Sequence, residues 1–376
     1  MMELAFSILS LIYLCLLVAL YASWRKIKDF SSKADDTPST FISVIIPVRN
    51  EEKNIARLLE DLNSQSYPSS LFEVIVMNDH SSDGTGEIVR SYQDKVSFRL
   101  LIQPVGDSGR AYKKQAIETA IGISTGTLIM TTDGDCTVGR EWIRTVESFY
   151  RHTGARFISS PVSFYKDHTF FKKLQSIEFA SLIGSGAASM QAGFPNMCNG
   201  ANIAYEKQAF TEAGGFSGNK DIPSGDDEFL MHKIFSRYPD HVFFLKSASA
   251  IVYTEAKNSL MEFLQQRKRW ASKWGNYHFR SIKLLAIFIF LYNFSLLGAF
   301  AAVPAGMYSP WVLLLQIIPK ICLEALLIKS VLRLCGKRMD FPSFTALQFL
   351  YPLYVVSIGL ISRIGGYSWK GRTINQ

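Results

Sequence analysis

The stretch "TLIMTTDGDC", Thr127 to Cys136, passes from an apolar run into two aspartates that flank one glycine. Short apolar runs of this kind are typical of strands buried on both faces of a sheet. Asp133 and Asp135 therefore stand where a strand is predicted to leave its sheet. Three interpretations are open for the pair: a metal site, an acid and base, or a solvated turn.

Similar apolar runs precede this stretch, and each is followed by a helical pattern. They are "FISVIIPV", "FEVIVMND" and "FRLLIQ", which begin at Phe41, Phe72 and Phe98. Alternating strands and helices predict an α/β domain with a doubly wound, mostly parallel sheet over residues 37–255. Ligands bind at the carboxyl ends of strands in such sheets. Asp79 ends the second run, so we expect it at the same sheet edge as the aspartate pair, which weakens the solvated-turn interpretation.

Apolar segments flank this domain. The chain of 376 residues has 19% charged residues and 48% apolar residues, a balance that favours a membrane protein. Leu4–Ala22 carries no charge and is long enough to span a bilayer, which predicts an anchor within residues 1–36. About three more spans are predicted within residues 256–376; they are Leu284–Val303, Pro310–Ile328 and Ser343–Ser362. Lys320 and Glu324 lie one helical turn apart and are expected to pair.

Basic residues predict the orientation. They follow the first span, precede the second and follow the third, so the positive-inside rule places residues 37–255 in the cytoplasm, beside the cell membrane. Four full spans would put the tail outside, although Arg363, Lys370 and Arg372 are basic. Either the tail breaks the rule or one C-terminal segment is re-entrant or interfacial. The five cysteines are scattered and form no CxxC pair, so neither a disulfide framework nor a zinc site is predicted.

Two common phosphate-binding motifs are missing. No G-x-G-x-x-G follows the first strand, and no G-x-x-x-x-G-K-[ST] occurs, which excludes a P-loop and disfavours a nicotinamide-binding domain. The remaining basic residues suited to phosphate near a helix start are Arg110, Lys113 and Lys114. Gly134, which has no side chain, is expected to let the backbone turn close to a phosphate.

Two later segments each allow two interpretations. In "PSGDDEFLMHKIF", Asp226 and Asp227 either favour a helix N-terminus or supply a general base, because crowded carboxylates raise one another's pKa. "FLQQRKRWASKW" either lies on anionic lipid, through Arg267, Lys268 and Lys273, or has a sharper role.

From Phe41 to Trp270, and in its flanking spans, the chain resembles membrane-bound family 2 glycosyltransferases, which have a GT-A fold. The resemblance is carried, in order, by "VIIPVRNEEKNI", "VIVMNDHSSDGT", "KKQAIETAI", "TTDGDC", "CNGANIAYEKQAF" with "GGF", "GDDEFL" and "QQRKRW". Two positions depart from the family pattern. Asn78 stands where many members have an aspartate, and Asp226 stands where the family usually has glutamate.

The resemblance implies a role for each matching residue. Asp227 would be the catalytic base with Asp226 beside it, and Asp135 with Asp133 would hold Mg²⁺ or Mn²⁺. The donor nucleotide would meet Asp79, Lys114, Asp133 and Arg269. The acceptor side would be formed by Gln266, Trp270, Asn199 and Gly200.

The expected function is an inverting transfer of a sugar from a nucleotide-sugar donor, with UDP favoured, to a lipid or lipid-linked acceptor at the cytoplasmic membrane face. The expected partners are this donor, this acceptor and the membrane, with no nucleic acid. One alternative is a processive polysaccharide synthase, because Q-x-x-R-W is common in those enzymes. The other is a membrane scaffold that binds sugar nucleotides without catalysis.

Overall fold

A computed structural model describes residues 2–33, 36–106, 112–273, 275, 277, 279–362, 366–370 and 372–374, so Arg110 and Arg363 lie outside the described residues. The chain divides into two compact units. The sheet unit comprises Ile27–Lys166 and Ser189–Glu255; the helical unit comprises Met1–Lys26, Asp167–Ala188 and Ala256–Gln376. The domain limits expected from the sequence stay a prediction, and this division differs from them by assigning residues 167–188 to the helical unit.

Strands and helices are numbered separately, each in chain order. The strands are β1 (Ile42–Val48), β2 (Phe72–Asn78), β3 (Arg99–Pro104), β4 (Leu128–Thr131), β5 (Thr137–Val138), β6 (Phe157–Ser159), β7 (Val162–Tyr165), β8 (Ile203–Glu206), β9 (Val242–Phe244), β10 (Val252–Glu255), β11 (Tyr367–Trp369) and β12 (Arg372–Ile374). The α-helices are α1 (Met2–Lys26), α2 (Ile55–Asn63), α3 (Thr85–Tyr92), α4 (Tyr112–Ile123), α5 (Trp142–Thr153), α6 (Phe170–Gln191), α7 (Lys207–Glu212), α8 (Asp226–Arg237), α9 (Leu260–Ala271), α10 (Arg280–Ala302), α11 (Pro310–Leu334) and α12 (Phe341–Ile361).

The main sheet is mixed and mostly parallel, as the sequence predicts. Its strand order is β3-β2-β1-β4-β8-β6-β9. β1 pairs in parallel with β2 and with β4, whereas β8 runs antiparallel to both β4 and β6. β1 lies between two neighbours and its residues Ile42, Val44, Ile45 and Ile46 are all 0% exposed. Full burial of each such side chain contributes roughly 1.5–3 kcal/mol, which explains why this segment occupies the sheet interior.

An ionised carboxylate is buried inside the sheet. The side chain of Glu73 on β2 is 0% exposed and lies 2.8 Å from the guanidinium of Arg99 on β3. It also accepts hydrogen bonds from the Ser43 hydroxyl at 2.7 Å and the Thr125 backbone N–H at 2.7 Å. Burial raises the pKa of Glu73, but the hydrogen bonds from Thr125 and Ser43 and the charge of Arg99 together outweigh this effect. The pKa of Glu73 therefore lies below its usual range. The carboxylate therefore links the start of β1 to the turn before β4.

Among its described residues, the helical unit contains four helices that are long and apolar enough to cross a membrane. These are α1, α10, α11 and α12, which confirms the predicted arrangement of one N-terminal and three C-terminal candidate spans. The last of them is a continuous helix of 21 residues.

A polar network joins three of the candidate spans. On α11, the Lys320 ammonium lies 2.9 Å from Glu324 Oε2, so the pair expected from the sequence is present. Lys320 also donates to Gln348 Oε1 on α12 at 2.7 Å, and the Tyr13 hydroxyl on α1 donates to Glu324 Oε1 at 2.7 Å. Charged groups inside a bilayer are costly unless they find such partners. Each charge in this network therefore has its counter-charge within the bundle.

Candidate active site

The aspartate pair follows β4 in a tight turn. The Cys136 N–H donates to the Asp133 carbonyl at 3.1 Å and closes this turn. A Cβ on Gly134 would lie 2.8 Å from Val48 Cγ1, at the end of β1, and 3.1 Å from Glu51 Cγ. Real Cβ atoms do not approach so closely, so glycine lets the turn pack directly against the end of the neighbouring strand. The close approach of this backbone to a phosphate stays a prediction; the contact observed is with the end of β1.

A lysine joins two of the predicted carboxylates. Lys113 Nζ on α4 lies 2.8 Å from Asp133 Oδ1 and 3.5 Å from Asp226 Oδ2 at the start of α8. The three side chains are partly buried, with 20% of Lys113, 38% of Asp133 and 12% of Asp226 exposed. Residues that are 113 positions apart at the extremes are thus brought to one place by β4, α4 and α8.

Asp227, the predicted base, is held by backbone donors. Its Oδ2 accepts the Gly200 N–H at 2.8 Å, and its Oδ1 accepts the Glu228 N–H at 2.8 Å. A Cβ on Gly200 would lie 3.3 Å from the side chains of both Asp226 and Asp227, so the backbone of residue 200 covers these carboxylates closely. The two backbone hydrogen bonds orient the Asp227 carboxylate.

The charges of the site affect one another. Burial raises the pKa of Asp226, the cation of Lys113 opposes that rise, and the nearby carboxylates of Asp227 and Asp133 add to it. Burial alone lowers the pKa of Lys113, but Asp133 and Asp226 raise it by more, so Lys113 is a cation at neutral pH. The cluster thus holds a positive group among carboxylates, an arrangement that suits a ligand with phosphate groups and a divalent cation.

Asp79 lies at the predicted sheet edge. It follows β2, is 4% exposed, and its N–H donates to the carbonyl of Val48 at 2.8 Å. Its carboxylate lies 3.2 Å from His80 Nδ1. Asn78, which replaces an aspartate of the family pattern, accepts the Ser81 N–H at 3.1 Å and closes the turn after the strand. Asp79 is therefore beside the end of β1, the same strand end that Gly134 contacts.

Two predicted residues make local contacts that the sequence did not indicate. Lys114 is 2% exposed and donates to the backbone carbonyls of Asn219 and Ile222, at 2.8 and 2.9 Å. The lysine that meets the carboxylates is its neighbour Lys113. Asn199 uses its side-chain oxygen to accept the Ala201 N–H at 3.0 Å, which shapes the turn that carries Gly200.

The remaining predicted residues belong to the helical unit. Gln266, Arg269 and Trp270 are all on α9 and are partly buried. The expectation that Arg267 and Lys273 lie on lipid is wrong, because they are only 2% and 6% exposed. The cause for Arg267 is a counter-charge distant in sequence, the carboxylate of Glu178, which composition alone does not indicate.

The residues fit a divalent cation supported by phosphates. Within the described part of the chain, no group of three His, Cys, Asp or Glu side chains is arranged to hold a metal ion. Apart from a thiol contact with Cys136 at 3.8 Å, the Asp135 carboxylate has no side-chain partner among the described residues. Mg²⁺ and Mn²⁺ accept one or two carboxylates when substrate phosphates complete the coordination. Asp135 with Asp133 provides a donor set of that kind.

Comparison with known proteins gives the class of the sheet unit first. Residues 43–214 match the model of Glycosyl transferase family 2. These residues include Asp79, Asp133 and Asp135, which follow β2 and β4, together with Lys113 of α4 and Gly200, which precedes β8.

Three curated relatives extend the similarity. The glycosyltransferase AglE of Haloferax volcanii is 35% identical over 125 residues, which are 33% of this chain and 40% of that protein. The poly-beta-1,6-N-acetyl-D-glucosamine synthase of Staphylococcus epidermidis is 23% identical over 61% of this chain and 53% of its own length. The beta-monoglucosyldiacylglycerol synthase of Trichormus variabilis is 24% identical over 61% of this chain and 48% of its own length. The match therefore spans about half or less of each relative.

A solved structure shares the whole architecture. The mannosyltransferase PcManGT from Pyrobaculum calidifontis, solved in complex with GDP-Man and Mn²⁺, superposes with a TM-score of 0.59 at 16% identity. The match covers 97% of this chain and 99% of that one, which confirms the predicted GT-A fold. This fold agrees with the match of residues 43–214 to Glycosyl transferase family 2.

Proposed function

We propose that the protein is an inverting glycosyltransferase that moves a sugar from a nucleoside-diphosphate donor to a hydroxyl of a lipid or lipid-linked acceptor. The observation that carries this proposal is the cluster in which Lys113 lies between Asp133 and Asp226, beside the oriented carboxylate of Asp227. A diphosphate leaves only when its developing charge is neutralised, and this cluster combines a cation with carboxylates suited to a metal.

The side chains divide the work between the two ends of the reaction. Asp135 and Asp133 would hold Mg²⁺ or Mn²⁺, which when bound supplies Lewis-acid stabilisation of the leaving diphosphate. Lys113 adds a fixed positive charge on the same side. Asp79 would contact the nucleotide at the end of β2, and Lys114, whose ammonium bonds two carbonyls, would support this region from within.

Asp227 would accept the proton of the attacking hydroxyl. The backbone N–H groups of Gly200 and Glu228 hold its carboxylate in one orientation, as a general base requires. Attack opposite the leaving diphosphate inverts the anomeric centre in a single displacement. Asp226 would tune this base through its own charge, which Lys113 partly balances.

A lipid acceptor is proposed because the acceptor-side residues are on a helix next to a candidate span. α9 ends at Ala271, and α10, which is apolar enough to cross a membrane, begins at Arg280. Gln266, Arg269 and Trp270 would thus act near a bilayer surface, with Arg269 meeting the diphosphate and Trp270 lining the acceptor site. The basic residues around the spans favour the cytoplasmic face of the cell membrane.

The test is transfer by purified protein in nanodiscs, supplied with UDP-sugars and GDP-sugars, Mg²⁺ or Mn²⁺, and a membrane lipid extract. We expect one donor to yield a glycolipid detected by mass analysis. Asp227→Asn is expected to abolish transfer, and Asp94→Asn, at an exposed aspartate, serves as the matched control. Normal transfer by Asp227→Asn would reject Asp227 as the base.

A processive polysaccharide synthase is the second candidate function. It is supported by the Staphylococcus epidermidis relative, which is a poly-beta-1,6-N-acetyl-D-glucosamine synthase. Product length separates the two candidates, since a single added sugar supports the glycolipid proposal and a ladder of long chains supports processive synthesis. Absence of donor binding by calorimetry with metal present would instead favour a non-catalytic scaffold.

A further inference from the structure

Arg267 is the first of the two variable residues in the Q-x-x-R-W segment of α9. Its side chain is 2% exposed and forms a two-point contact with Glu178 of α6, with Nε to Oε1 at 3.0 Å and Nη2 to Oε2 at 2.5 Å. The Tyr354 hydroxyl on α12 donates to the same carboxylate at 3.4 Å. One buried ion pair therefore joins three helices of the helical unit.

The same guanidinium contacts two motif side chains. Its Nη1 donates to Gln266 Oε1 at 2.6 Å. Its plane centre lies 4.2 Å from the centroid of the Trp270 ring, which is within the range of a cation–π contact. Trp270 is supported further by Phe179 of α6, whose ring centroid is 6.2 Å away. The orientations of Gln266 and Trp270 thus depend on one arginine.

Stability alone does not require this arrangement. A buried ion pair pays a desolvation penalty, and apolar residues of similar volume often stabilise a protein as well or better. A buried apolar residue would not, however, donate to Gln266 while stacking on Trp270. A planar group with five N–H donors can do both at once, and lysine cannot. The contacts of Arg267 therefore serve the geometry of its neighbours on α9.

We propose that Arg267, anchored by Glu178, is a positioning residue that fixes the side chains of Gln266 and Trp270 for sugar transfer. The proposal rests on the proposed function, in which those two side chains act on the acceptor side. Arg267 itself is buried and acts through its neighbours. Apart from Arg269, the residues proposed to bind the donor belong to the sheet unit, so donor binding is expected to depend little on this contact.

The kinetic test compares Arg267→Lys and Glu178→Gln with the wild-type protein. We expect kcat to fall by about 10- to 100-fold, because misplacement of a group by about 1 Å can cost about 100-fold. The donor KM is expected to stay within about threefold, since the motif side chains act on the acceptor side. The double variant Gln266→Ala with Arg267→Lys is expected to lose less kcat than the product of the two single losses, because both substitutions break the same contact.

The matched control is Lys173→Met. It breaks the 2.8 Å ion pair between Lys173 on α6 and Asp340 at the start of α12, and so loosens the same helices without touching α9. We expect this variant to keep the wild-type kcat. A similar loss of kcat in Lys173→Met and Arg267→Lys would overturn the positioning role and leave only helix attachment.

An optical measurement decides the proposal without reference to transfer. The fluorescence of Trp270 is obtained as the difference between each protein and its Trp270→Phe counterpart, and quenching by acrylamide reports its exposure. We expect stronger quenching of this difference signal in Arg267→Lys than in wild type or Lys173→Met. Unchanged quenching would refute the positioning role. Absence of transfer by the wild-type protein with every donor would instead refute the proposed function.

Discussion

Lys113 and Lys114 are neighbours in sequence, but replacement by methionine is expected to lower catalysis at position 113 and stability at position 114. Lys114 is 2% exposed and donates to two carbonyl groups, those of Asn219 and Ile222. Hydrogen bonds from a charged donor contribute about 1.5–3 kcal/mol each, and removal of a buried ammonium recovers part of that through its desolvation penalty. Lys114→Met is therefore expected to destabilise the protein by about 2–4 kcal/mol.

Lys113→Met removes the cation shared by Asp133 and Asp226 instead. Its side chain is 20% exposed and contacts two carboxylates that are themselves partly exposed, so its loss is expected to cost about 1 kcal/mol or less of stability. Loss of a charge aimed at the developing diphosphate is expected to lower kcat by about 100- to 1,000-fold. The first lysine thus supports the reaction, and the second supports the fold.

Two measurements on each variant separate these effects. Thermal unfolding followed by intrinsic fluorescence is expected to show a midpoint lowered by about 4–16 °C for Lys114→Met, at about 2–4 °C per kcal/mol, and little change for Lys113→Met. Transfer is then measured below both midpoints, with Lys53→Met at an exposed lysine as the control. Lost transfer at an unchanged midpoint in Lys114→Met, or full transfer by Lys113→Met, would refute the assignment.

Three further substitutions test other parts of the molecule. Glu73→Gln removes a buried carboxylate whose partner Arg99 is 55% exposed, and is expected to cost about 1–3 kcal/mol. Because the folded pKa of Glu73 is depressed, wild-type stability should fall as pH drops below about 4.3, and the variant should show a smaller decline of its unfolding midpoint between about pH 5 and about pH 3. Gly134→Ala would place a methyl group 2.8 Å from Val48 Cγ1, and we expect transfer to fall at least about 10-fold; unaltered transfer would contradict a role for this close packing. Lys320→Met leaves the Glu324 carboxylate without its cation and is expected to lower the unfolding midpoint in nanodiscs, whereas a double variant with Glu324→Gln recovers part of the loss. Equal midpoints in all three proteins would show that the pair contributes nothing.

The strands with long apolar runs could be predicted from the sequence. β1 and β2 each contain seven residues that are almost entirely buried, so composition and polar ends are enough to locate them. β5 has two residues and β10 has four, and strands so short carry no periodicity. The small sheet β5-β10-β7 was therefore missed, because only contacts distant in sequence define it.

The sequence indicated the carboxylates that lie together, but it did not indicate which lysine contacts two of them. Asp133, Asp226 and Asp227 belong to segments with recognisable order along the chain, and the structure brings them to one place. Lys113 and Lys114 are consecutive on a helix, and consecutive side chains point about 100° apart. Which of them faces the carboxylates depends on how α4 packs, and the sequence of the helix itself does not record that.

Arg267 shows the same limit inside a motif. The spacing Q-x-x-R-W indicates the residues that are proposed to meet ligands and leaves the intervening positions open. The basic composition of the segment therefore favoured a lipid surface as the interpretation of Arg267. Its partner Glu178 is 89 residues away in sequence, and only the packing of α6 beside α9 shows that the charge is neutralised. A family motif identifies side chains that are expected to contact substrate. The side chains that orient those residues, here Arg267 and Glu178, are identified only from the packing of α6 against α9.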